Sequence, residues 1–257
     1  MIVDSHCHCD MLDLERLGLS LSEVVANAKS EGVERILTIG VDLKNAQRVI
    51  TIAEQFEGVY ASVGLHPSET VDHEPEEDDY LPFASHKKVV AIGEMGLDYY
   101  YNDDGHDNQQ LRFRRQIRLA HKLQKPIIIH TRNAKQDTLA IMREENASAV
   151  GGVMHCFTED YDMAKQAMDL GFYISFSGIV TFKNANNVRE VAEKVPLEKM
   201  LIETDAPYLT PVPLRGKPNQ PANVRRVAEF MADFKQVSFD EVCRITSENA
   251  CRLFSLR

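Results

Sequence analysis

Three features of this 257-residue sequence predict an α/β protein built as a (β/α)8 TIM barrel, a single domain over residues 1–257 with an extra C-terminal helix. Eight short apolar runs have the length and composition of buried parallel strands. Helical patterns separate these runs, so that the units repeat roughly every 30 residues. The sequence lacks the G-x-G-x-x-G and G-x-x-x-x-G-K-[ST] motifs, which disfavours the alternative of a doubly wound open sheet that binds a nucleotide.

The predicted strands follow one another along the whole chain. In order they occupy residues 2–8, 35–40, 59–67, 89–92, 126–130, 152–155, 172–178 and 200–205. Gly93 follows the fourth run and admits a close backbone approach, and Glu94 then carries a carboxylate at the end of that strand. Such a carboxylate is costly to bury unless it is paired or binds a metal, so a salt bridge and a metal site are the two alternatives.

The predicted helices fill the gaps between the strands. Ser20-Leu-Ser-Glu23 and Ser238-Phe-Asp-Glu241 are capping boxes, which mark helix N-termini. The other helices are predicted over residues 42–56, 113–123, 134–145, 160–170, 185–195 and 224–231. Pro207 to Pro221 is predicted to form one long final βα loop. The acidic run from Glu69 to Asp79 is predicted to be a solvated loop that leads into a helix N-terminus.

Composition and charge place the chain among soluble globular proteins, with 44% hydrophobic and 26% charged residues. No apolar stretch approaches the roughly 18 residues of a membrane span and no signal-peptide pattern is present, so we expect a cytoplasmic protein without membrane contact. The five cysteines have no zinc-finger or redox spacing, which predicts reduced thiols. The net charge of −10 argues against a broad basic surface for nucleic acid, but not against a metal-rich pocket that binds phosphate locally.

Histidine and carboxylate side chains accumulate at the C-terminal ends of the predicted strands. Side chains two residues apart on a strand share a face, so we expect His6 and His8 to point together, and Glu203 and Asp205 likewise. Four further strand ends carry His66, Glu94, His130 and His155. In a (β/α)8 barrel all these ends converge on the face where active sites are built.

This convergence predicts a metal site. Packing does not favour several imidazoles and carboxylates in one pocket, whereas divalent cations cancel the charge and occupy the lone pairs. Such mixed ligands suit Zn²⁺, Mn²⁺, Fe²⁺ or Co²⁺ better than Ca²⁺. Mg²⁺ is an alternative if water molecules complete its coordination. The ligand set is too large for one tetrahedral ion and consists of His6, His8, Glu94, His130, His155 and Asp205. We therefore expect two divalent ions that share Glu94 as a bridge and support hydrolysis.

The sequence resembles the TatD family of metal-dependent deoxyribonucleases, which are amidohydrolase-like barrels, and in particular the branch that retains an N-terminal His-x-His. The resemblance spans essentially the whole chain. It rests on Asp4-Ser-His-Cys-His8, Gly64-Leu-His-Pro67, Gly93-Glu-Met-Gly-Leu-Asp-Tyr-Tyr100, His130-Thr-Arg132, His155-Cys-Phe157, Phe176-Ser-Gly178 and Glu203-Thr-Asp-Ala-Pro-Tyr208. The motifs around Glu94 and Glu203 are the most specific of these.

The resemblance implies how the ligands divide between two metal sites. One site would comprise His6, His8, Glu94 and Asp205, and the other Glu94, His130 and His155. His66 and Glu203 would support these ligands from outside or hold an alternative metal. Met95 stands where the family usually has threonine, and Cys9 where a bulky apolar residue is common. Neither departure removes a ligand, so both concern the lining of the pocket.

Two ligands are also catalytic candidates. Asp205 is the candidate general base, because a carboxylate beside a metal can orient and deprotonate a water. A purely ligating role for Asp205 is the alternative. Glu94 is the second candidate through its bridging position.

Substrate contacts are predicted for side chains near these ligands. Arg132 follows His130 by two residues and could form a fork on a substrate phosphate, with a structural ion pair as the alternative. Arg215 and Lys217 could serve similarly. Tyr99 to Tyr101 follow Glu94 and could stack on a terminal base, with packing as the alternative.

Three classes of function are compatible with these residues. The resemblance favours a metal-dependent phosphodiesterase that acts as a 3′–5′ exonuclease on DNA ends. The alternative is an amidohydrolase that cleaves a C–N or ester bond of a small molecule. Many such barrels bridge their metals with a modified lysine from the fourth strand, where this chain has Glu94. A catalytically idle metal-binding scaffold is the third class, which a complete ligand set disfavours. RNA or another phosphoester is the alternative substrate within the first class.

Overall fold

The computed structural model describes residues 1–100 and 105–256 of the chain, and an eight-stranded parallel sheet with the order β1 to β8 forms its centre. The strands are β1 (Ile2–Cys7), β2 (Val33–Thr38), β3 (Val59–Val63), β4 (Val89–Asp98), β5 (Ile127–Arg132), β6 (Gly152–Met154), β7 (Tyr173–Phe176) and β8 (Met200–Ile202). The sheet closes beyond β8, where Cys7 bridges Ala206 and the Asp205 N–H donates to the His6 carbonyl at 2.9 Å. The predicted (β/α)8 barrel is therefore confirmed.

Helices surround the sheet. They are α1 (Leu14–Leu17), α2 (Leu21–Ser30), α3 (Ala46–Gln55), α4 (Glu77–Ala84), α5 (His106–Leu123), α6 (Lys135–Glu144), α7 (Tyr161–Asp169), α8 (Asn186–Lys194), α9 (Val224–Lys235) and α10 (Phe239–Phe254). Short 3-10 helices occupy Ala147–Ala149, Gly178–Thr181, Leu197–Lys199 and Pro221–Asn223. Within the described parts of the chain, none of these helices combines the length and the apolar character that crossing a bilayer requires.

The extra C-terminal helix α10 closes the N-terminal end of the barrel. Its Ala250 and Phe254 pack with the interior layer of the barrel, which includes Val3 of β1 and Ile128 of β5. The Asn249 side chain donates to the carbonyls of Leu197, in the 3-10 helix before β8, and of Met200, the first residue of β8. With this end filled by apolar side chains, the opposite, C-terminal end is left for polar groups.

The helix starts follow the capping signals in the sequence. The capping box of α2 is complete, because the Glu23 N–H donates to Ser20 Oγ and the Ser20 N–H donates to the Glu23 carboxylate at 2.7 Å. At α10 one half of the box is formed, from the Glu241 N–H to Ser238 Oγ. Helix α3 begins at Ala46, later than predicted, because the Asp42 carboxylate accepts the Lys44 N–H and stabilises a turn there.

Strands β4 and β5 are longer than the sequence pattern predicted. The prediction that the fourth strand ends at Ile92 is wrong, because the ladder continues until Asp98 pairs with Arg132. Gly93 and Gly96 allow this continuation at positive φ, and a Cβ at Gly96 would lie 2.0 Å from the His130 carbonyl oxygen. The close approach therefore sets Glu94 within the sheet, four residues before the strand ends.

A polar stripe on α5 fixes the ends of β3 and β4. Gln116 is fully buried, and its amide bonds both the N–H and the carbonyl of Leu65, at 2.8 and 3.0 Å. Gln109 bonds the N–H and the carbonyl of Asp98 in the same way. Arg112 lies between them and donates to the His66 carbonyl at 2.8 Å. Each amide replaces the partner that a strand end lacks, so α5 sets the position of the chain on either side of the barrel mouth.

Four of the seven acidic side chains of the run are exposed, as predicted, and Glu69, Glu74 and Glu77 are half-buried. Glu74 accepts two hydrogen bonds from the buried Arg112, from Nε at 2.9 Å and from Nη2 at 2.5 Å. This pair ties the loop between β3 and α4 to α5. A fork of this kind is strong because both partners are charged and two bonds fix their orientation.

We predict that Arg112→Ala lowers the free energy of unfolding by about 3 kcal/mol, because it leaves a partly buried carboxylate and a buried carbonyl without a donor. Urea denaturation measures this loss. The matched control is Arg118→Ala on the same helix, which should cost under about 1 kcal/mol, since Arg118 is exposed and Arg114 still contacts its partner Glu145. Equal losses in the two variants would contradict the structural role of Arg112.

Candidate metal centre

A cavity of about 610 Å³ opens at the C-terminal end of the barrel. Most of the predicted site residues line it, namely His8, His66, Glu94, His130, Arg132, His155 and Asp205. His6 and Glu203 are fully buried behind this lining. The cavity is therefore the point at which the strand ends converge.

The Glu94 carboxylate lies at the centre of the site, and its two oxygens face different groups. Oε2 lies 3.3 Å from His6 Nε2 and 4.0 Å from His8 Nε2. The other oxygen, Oε1, faces three imidazoles: His155 Nε2 at 2.7 Å, His130 Nδ1 at 3.2 Å and His66 Nε2 at 3.4 Å. One carboxylate thus joins two clusters of nitrogen ligands.

Asp205 completes the cluster on the Oε2 side. Its Oδ1 lies 3.4 Å from His8 Nε2 and 3.6 Å from His6 Nε2. The predicted strand alternation does not bring Asp205 here, because β8 ends at Ile202 and Asp205 has a φ of 54°. The hydrogen bond from its N–H to the His6 carbonyl holds it beside β1 instead.

Carboxylates behind the cavity orient two of the histidines. His130 Nε2 lies 3.0 Å from Asp98 Oδ2, and His155 Nδ1 lies 3.2 Å from Glu203 Oε1. Glu203 also accepts the Cys156 N–H at 2.7 Å and the Ser175 hydroxyl at 2.5 Å. Outer carboxylates of this kind fix the tautomer and the ring orientation of histidines that bind metals.

Asp98 is a site residue that the sequence reading missed. It lies four residues after Glu94, on the same face of β4, opposite Arg132 of β5. The even spacing from Glu94 is its signal in the sequence, and this signal holds only if the strand continues past Ile92. His66 is predicted to support the ligands from outside or to hold an alternative metal, and its Nε2 lies 3.4 Å from Glu94 Oε1.

The predicted substrate contacts divide into those at the cavity and those away from it. Arg132 lines the cavity, and its guanidinium carbon lies 3.6 Å from the centre of the Tyr100 ring. The Tyr99 ring stacks on His106, and its hydroxyl donates to Asp137, so it is held on α5 and α6. Tyr101 lies outside the described residues.

The long loop after β8 keeps its predicted basic residues away from the cavity lining. The Arg215 guanidinium lies 4.0 Å from the Phe182 ring centre and donates to the Thr210 carbonyl. Lys217 is exposed. Tyr208 of this loop lines the cavity instead, with an exposed ring whose centre is 6.0 Å from that of His8. The sequence reading assigned Tyr208 no role.

The charges in the site are strongly coupled. Burial alone would raise the pKa of Glu94, but the surrounding histidines, His155 foremost, hold it well below its usual value. Burial alone would lower the pKa of His155, but Glu94 and Glu203 raise it well above 6.5. Burial and the neighbouring His155 lower the pKa of His6. Glu94 is therefore an anion that needs cations around it.

The donor atoms fit divalent metal ions. Among the described residues, both ring nitrogens of His6 and Nδ1 of His8 are buried without a hydrogen-bond partner. A buried polar atom without a partner costs about 1–3 kcal/mol, which ligation of a nitrogen removes. Ligand atoms lie within 4.8 Å of one another in three groups: His6, His8 and Asp205; His66, Glu94 and His130; and His6, His155 and Glu203. Imidazole with carboxylate suits Zn²⁺ and its neighbours in the first transition row.

Comparison with known proteins identifies the family. The family model for TatD related DNase matches residues 3–255. The chain belongs to the TatD family. It is 45% identical over 257 residues to YabD of Bacillus subtilis, with 100% of both chains covered, and 47% identical over 255 residues to YcfH of Escherichia coli K12, with 99% of this chain and 96% of YcfH covered. Both relatives are described as uncharacterized metal-dependent hydrolases.

Solved structures of TatD proteins have the same fold. The crystal structure of YjjV, a TatD homologue from E. coli K12, superposes with a TM-score of 0.91 at 28% identity, covering 100% of this chain and 98% of YjjV. A TatD family hydrolase from Entamoeba histolytica superposes with a TM-score of 0.84 at 23% identity, over 100% of this chain and 98% of that protein, and shows the fold alone. This TatD protein is therefore a metal-dependent hydrolase on a (β/α)8 barrel.

We predict that the metal-free protein becomes less stable as the pH rises above about 6.5. The raised pKa of His155 means that its pairing with Glu94 and Glu203 is fully present below 6.5 and is lost as the pH rises through the folded-state pKa. Urea unfolding in excess EDTA across this range measures the slope. His155→Gln should reduce the slope, whereas His73→Gln in the exposed acidic loop should not. If the free energy of unfolding depends on pH equally in His155→Gln and in the unmodified protein, the predicted contribution of His155 is contradicted.

Proposed function

We propose that this TatD hydrolase is a two-metal phosphodiesterase that removes nucleotides from DNA ends in the 3′–5′ direction. The observation that carries the proposal is the division at Glu94, whose two oxygens face separate groups of ligand atoms. A single ion would not need ligand atoms beside both oxygens of Glu94. Two ions about 4 Å apart are the usual arrangement for in-line displacement at a phosphate.

The distances around Glu94 support a division of the ligands between two ions. His6, His8 and Asp205 would hold one ion with Glu94 Oε2. His130 and His155 would hold the other with Glu94 Oε1, and Asp98 and Glu203 would support these two imidazoles from behind. When bound, the ions would polarise the phosphoryl oxygens and lower the pKa of a water.

Asp205 is proposed as the residue that orients and deprotonates the attacking water. Burial alone would raise its pKa, but His8 and His6 beside it lower the pKa below its usual value, so it is ionised near neutral pH. It also faces the cavity, where a substrate would enter. An ionised carboxylate at this position can accept a proton at Oδ1 or Oδ2, and ligation alone is the alternative role.

The cavity supports a phosphate ester at a chain end as the substrate. Arg132 lines it, and the Tyr100 ring against the guanidinium restricts the directions in which it can donate. A guanidinium recognises the oxygens of a phosphate through two parallel bonds. The volume of about 610 Å³ suits a nucleotide-sized group rather than the width of a duplex. The exposed Tyr208 ring at the mouth could stack on a base.

An amidohydrolase acting on a small molecule is the second candidate. The ligand set by itself is compatible with attack on an amide or ester carbonyl as well as on phosphorus. Arg132 in the cavity lining favours an anionic substrate over a neutral amide, because a guanidinium forms strong, charge-assisted bonds to phosphate or carboxylate oxygens. A cytoplasmic location remains a prediction from the sequence; all five cysteines are free thiols in the structure.

We predict that the protein loaded with Mn²⁺, Zn²⁺ or Mg²⁺ shortens single-stranded DNA labelled at its 5′ end from the 3′ end, one nucleotide at a time. Denaturing gels resolve the products, and EDTA should abolish the reaction. A matched oligonucleotide blocked by a 3′ phosphorothioate should be shortened more slowly. Parallel assays with small amides and esters test the second candidate. Rapid cleavage of an amide, with no shortening of DNA or RNA under any metal, would overturn the proposed function.

We predict that Glu94→Gln lowers the rate of hydrolysis by about four orders of magnitude, because it removes the charge that both ions would share. Elemental analysis should find about two divalent ions per chain in the unmodified protein and a lower content in the variant. The control is Glu145→Gln, which alters an ion pair far from the cavity and should change neither activity nor metal content. A Glu94→Gln protein that keeps its metals and turnover, and loses only thermal stability, would show that Glu94 is a salt-bridge residue.

A further inference from the structure

The three histidines that face Glu94 Oε1 differ in what holds their second ring nitrogen. His130 and His155 each place that nitrogen beside a carboxylate, Asp98 or Glu203. Glu94 is also a carboxylate, so both nitrogens of these two rings face an acceptor. The outer carboxylate can keep the ring proton when the nitrogen that faces Glu94 binds a metal. The nitrogen that faces Glu94 then presents a lone pair, as a metal ligand must.

His66 has the opposite arrangement. Its Nδ1 accepts the backbone N–H of Ser68 at 3.1 Å. A backbone N–H can only donate, so Nδ1 presents its lone pair to Ser68 and the ring carries its proton on Nε2. Nε2 is the atom that faces Glu94 Oε1 at 3.4 Å and the cavity. A nitrogen that carries a proton cannot bind a metal, although its position beside His130 and Glu94 would suit a ligand.

The surrounding structure holds His66 in this orientation. Its N–H donates to the Val41 carbonyl, and its carbonyl accepts from Arg112. The preceding residue, Leu65, is bonded on both its N–H and its carbonyl by the buried amide of Gln116. The backbone on which the His66 ring stands is therefore fixed from two sides, and the ring packs edge-on against His130 at 4.6 Å between centroids.

We propose that His66 is not a metal ligand but a hydrogen-bond donor, through Nε2, to a non-bridging oxygen of the substrate's phosphoryl group. This inference rests on the two-ion phosphodiesterase proposed above. His66 lines the cavity, so a phosphoryl group between the ions and Arg132 comes within its reach. A fixed neutral donor aimed at developing negative charge needs no reorganisation during the reaction.

Two measurements test the ligand assignment without reference to activity. In nitrogen-15 spectra of the histidine rings, His66 should show a proton on Nε2 both before and after Zn²⁺ is added, whereas the shifts of His130 and His155 should change on loading. The His66→Gln variant identifies the signal. Metal content should stay at the unmodified level in His66→Ala and fall in the matched variant His130→Ala. A metal-bound Nε2 signal, or metal loss in His66→Ala equal to that in His130→Ala, would overturn the assignment.

Binding and turnover test the donor role. Thymidine 5′-monophosphate should bind the metal-loaded His66→Ala protein about 10-fold more weakly than the unmodified protein, and kcat on DNA should fall about 100-fold with unchanged metal content. His66→Gln should recover part of both losses, because its amide can place an N–H near the position of Nε2. Equal nucleotide affinity in His66→Ala and the unmodified protein, or a Gln variant no better than Ala, would overturn the role.

The same experiments separate this inference from the proposed function. If the unmodified protein cleaves no phosphodiester, the exonuclease proposal fails. The ring spectra, the metal contents and the nucleotide affinities then still decide whether His66 is a donor or a ligand.

Discussion

The Glu94 carboxylate is the group on which the rest of the site depends. It is buried within the sheet, and an isolated anion there would be prohibitively costly, so its environment must supply positive charge. Five imidazole nitrogens within 4.0 Å of its two oxygens meet part of this need, and the unpaired nitrogens of His6 and His8 show that hydrogen bonds alone do not complete it. In a metal-dependent hydrolase, a divalent metal would supply the remainder. The need for metal therefore follows from the fold around one residue.

The position of Glu94 depends in turn on how closely β4 and β5 approach. Glycine at 93 and 96 lets the two backbones meet where any side chain would collide with the neighbouring strand. Helix α5 then holds the strand ends, where backbone groups lack a partner in the sheet. Gln109 bonds the N–H and the carbonyl of Asp98 at the end of β4, and Gln116 bonds those of Leu65 just after β3. Buried amides that are fully satisfied rigidify their surroundings. The imidazoles therefore stand on a frame that is fixed by hydrogen bonds between buried side chains and the backbone.

The sequence was sufficient to predict the barrel and most of the residues at its mouth, because strand periodicity and the convergence of parallel strands are local rules. Their partners were harder to predict. Asp98 was missed because two glycines read as the end of a strand, although here they allow the strand to continue. The roles of Gln109 and Gln116 do not follow from the apolar stripe of α5, because a buried amide has no signature in the sequence until its backbone partner is known. Asp205 itself has a left-handed backbone conformation, so the alternation of side chains along a strand does not predict where its carboxylate points.

The acidic surface and the proposed nucleic acid substrate are compatible if recognition is confined to one phosphate. Proteins that grip long stretches of DNA neutralise many phosphates with lysine and arginine, and their affinity falls steeply with salt. Among the described residues that line the cavity, Arg132 is the one basic side chain other than histidine. The remaining positive charge would come from the ions, deep in a cavity surrounded by a chain of net charge −10. Such a field attracts an anion only at short range and repels the body of a polyanion, so it favours the end of a strand over its middle.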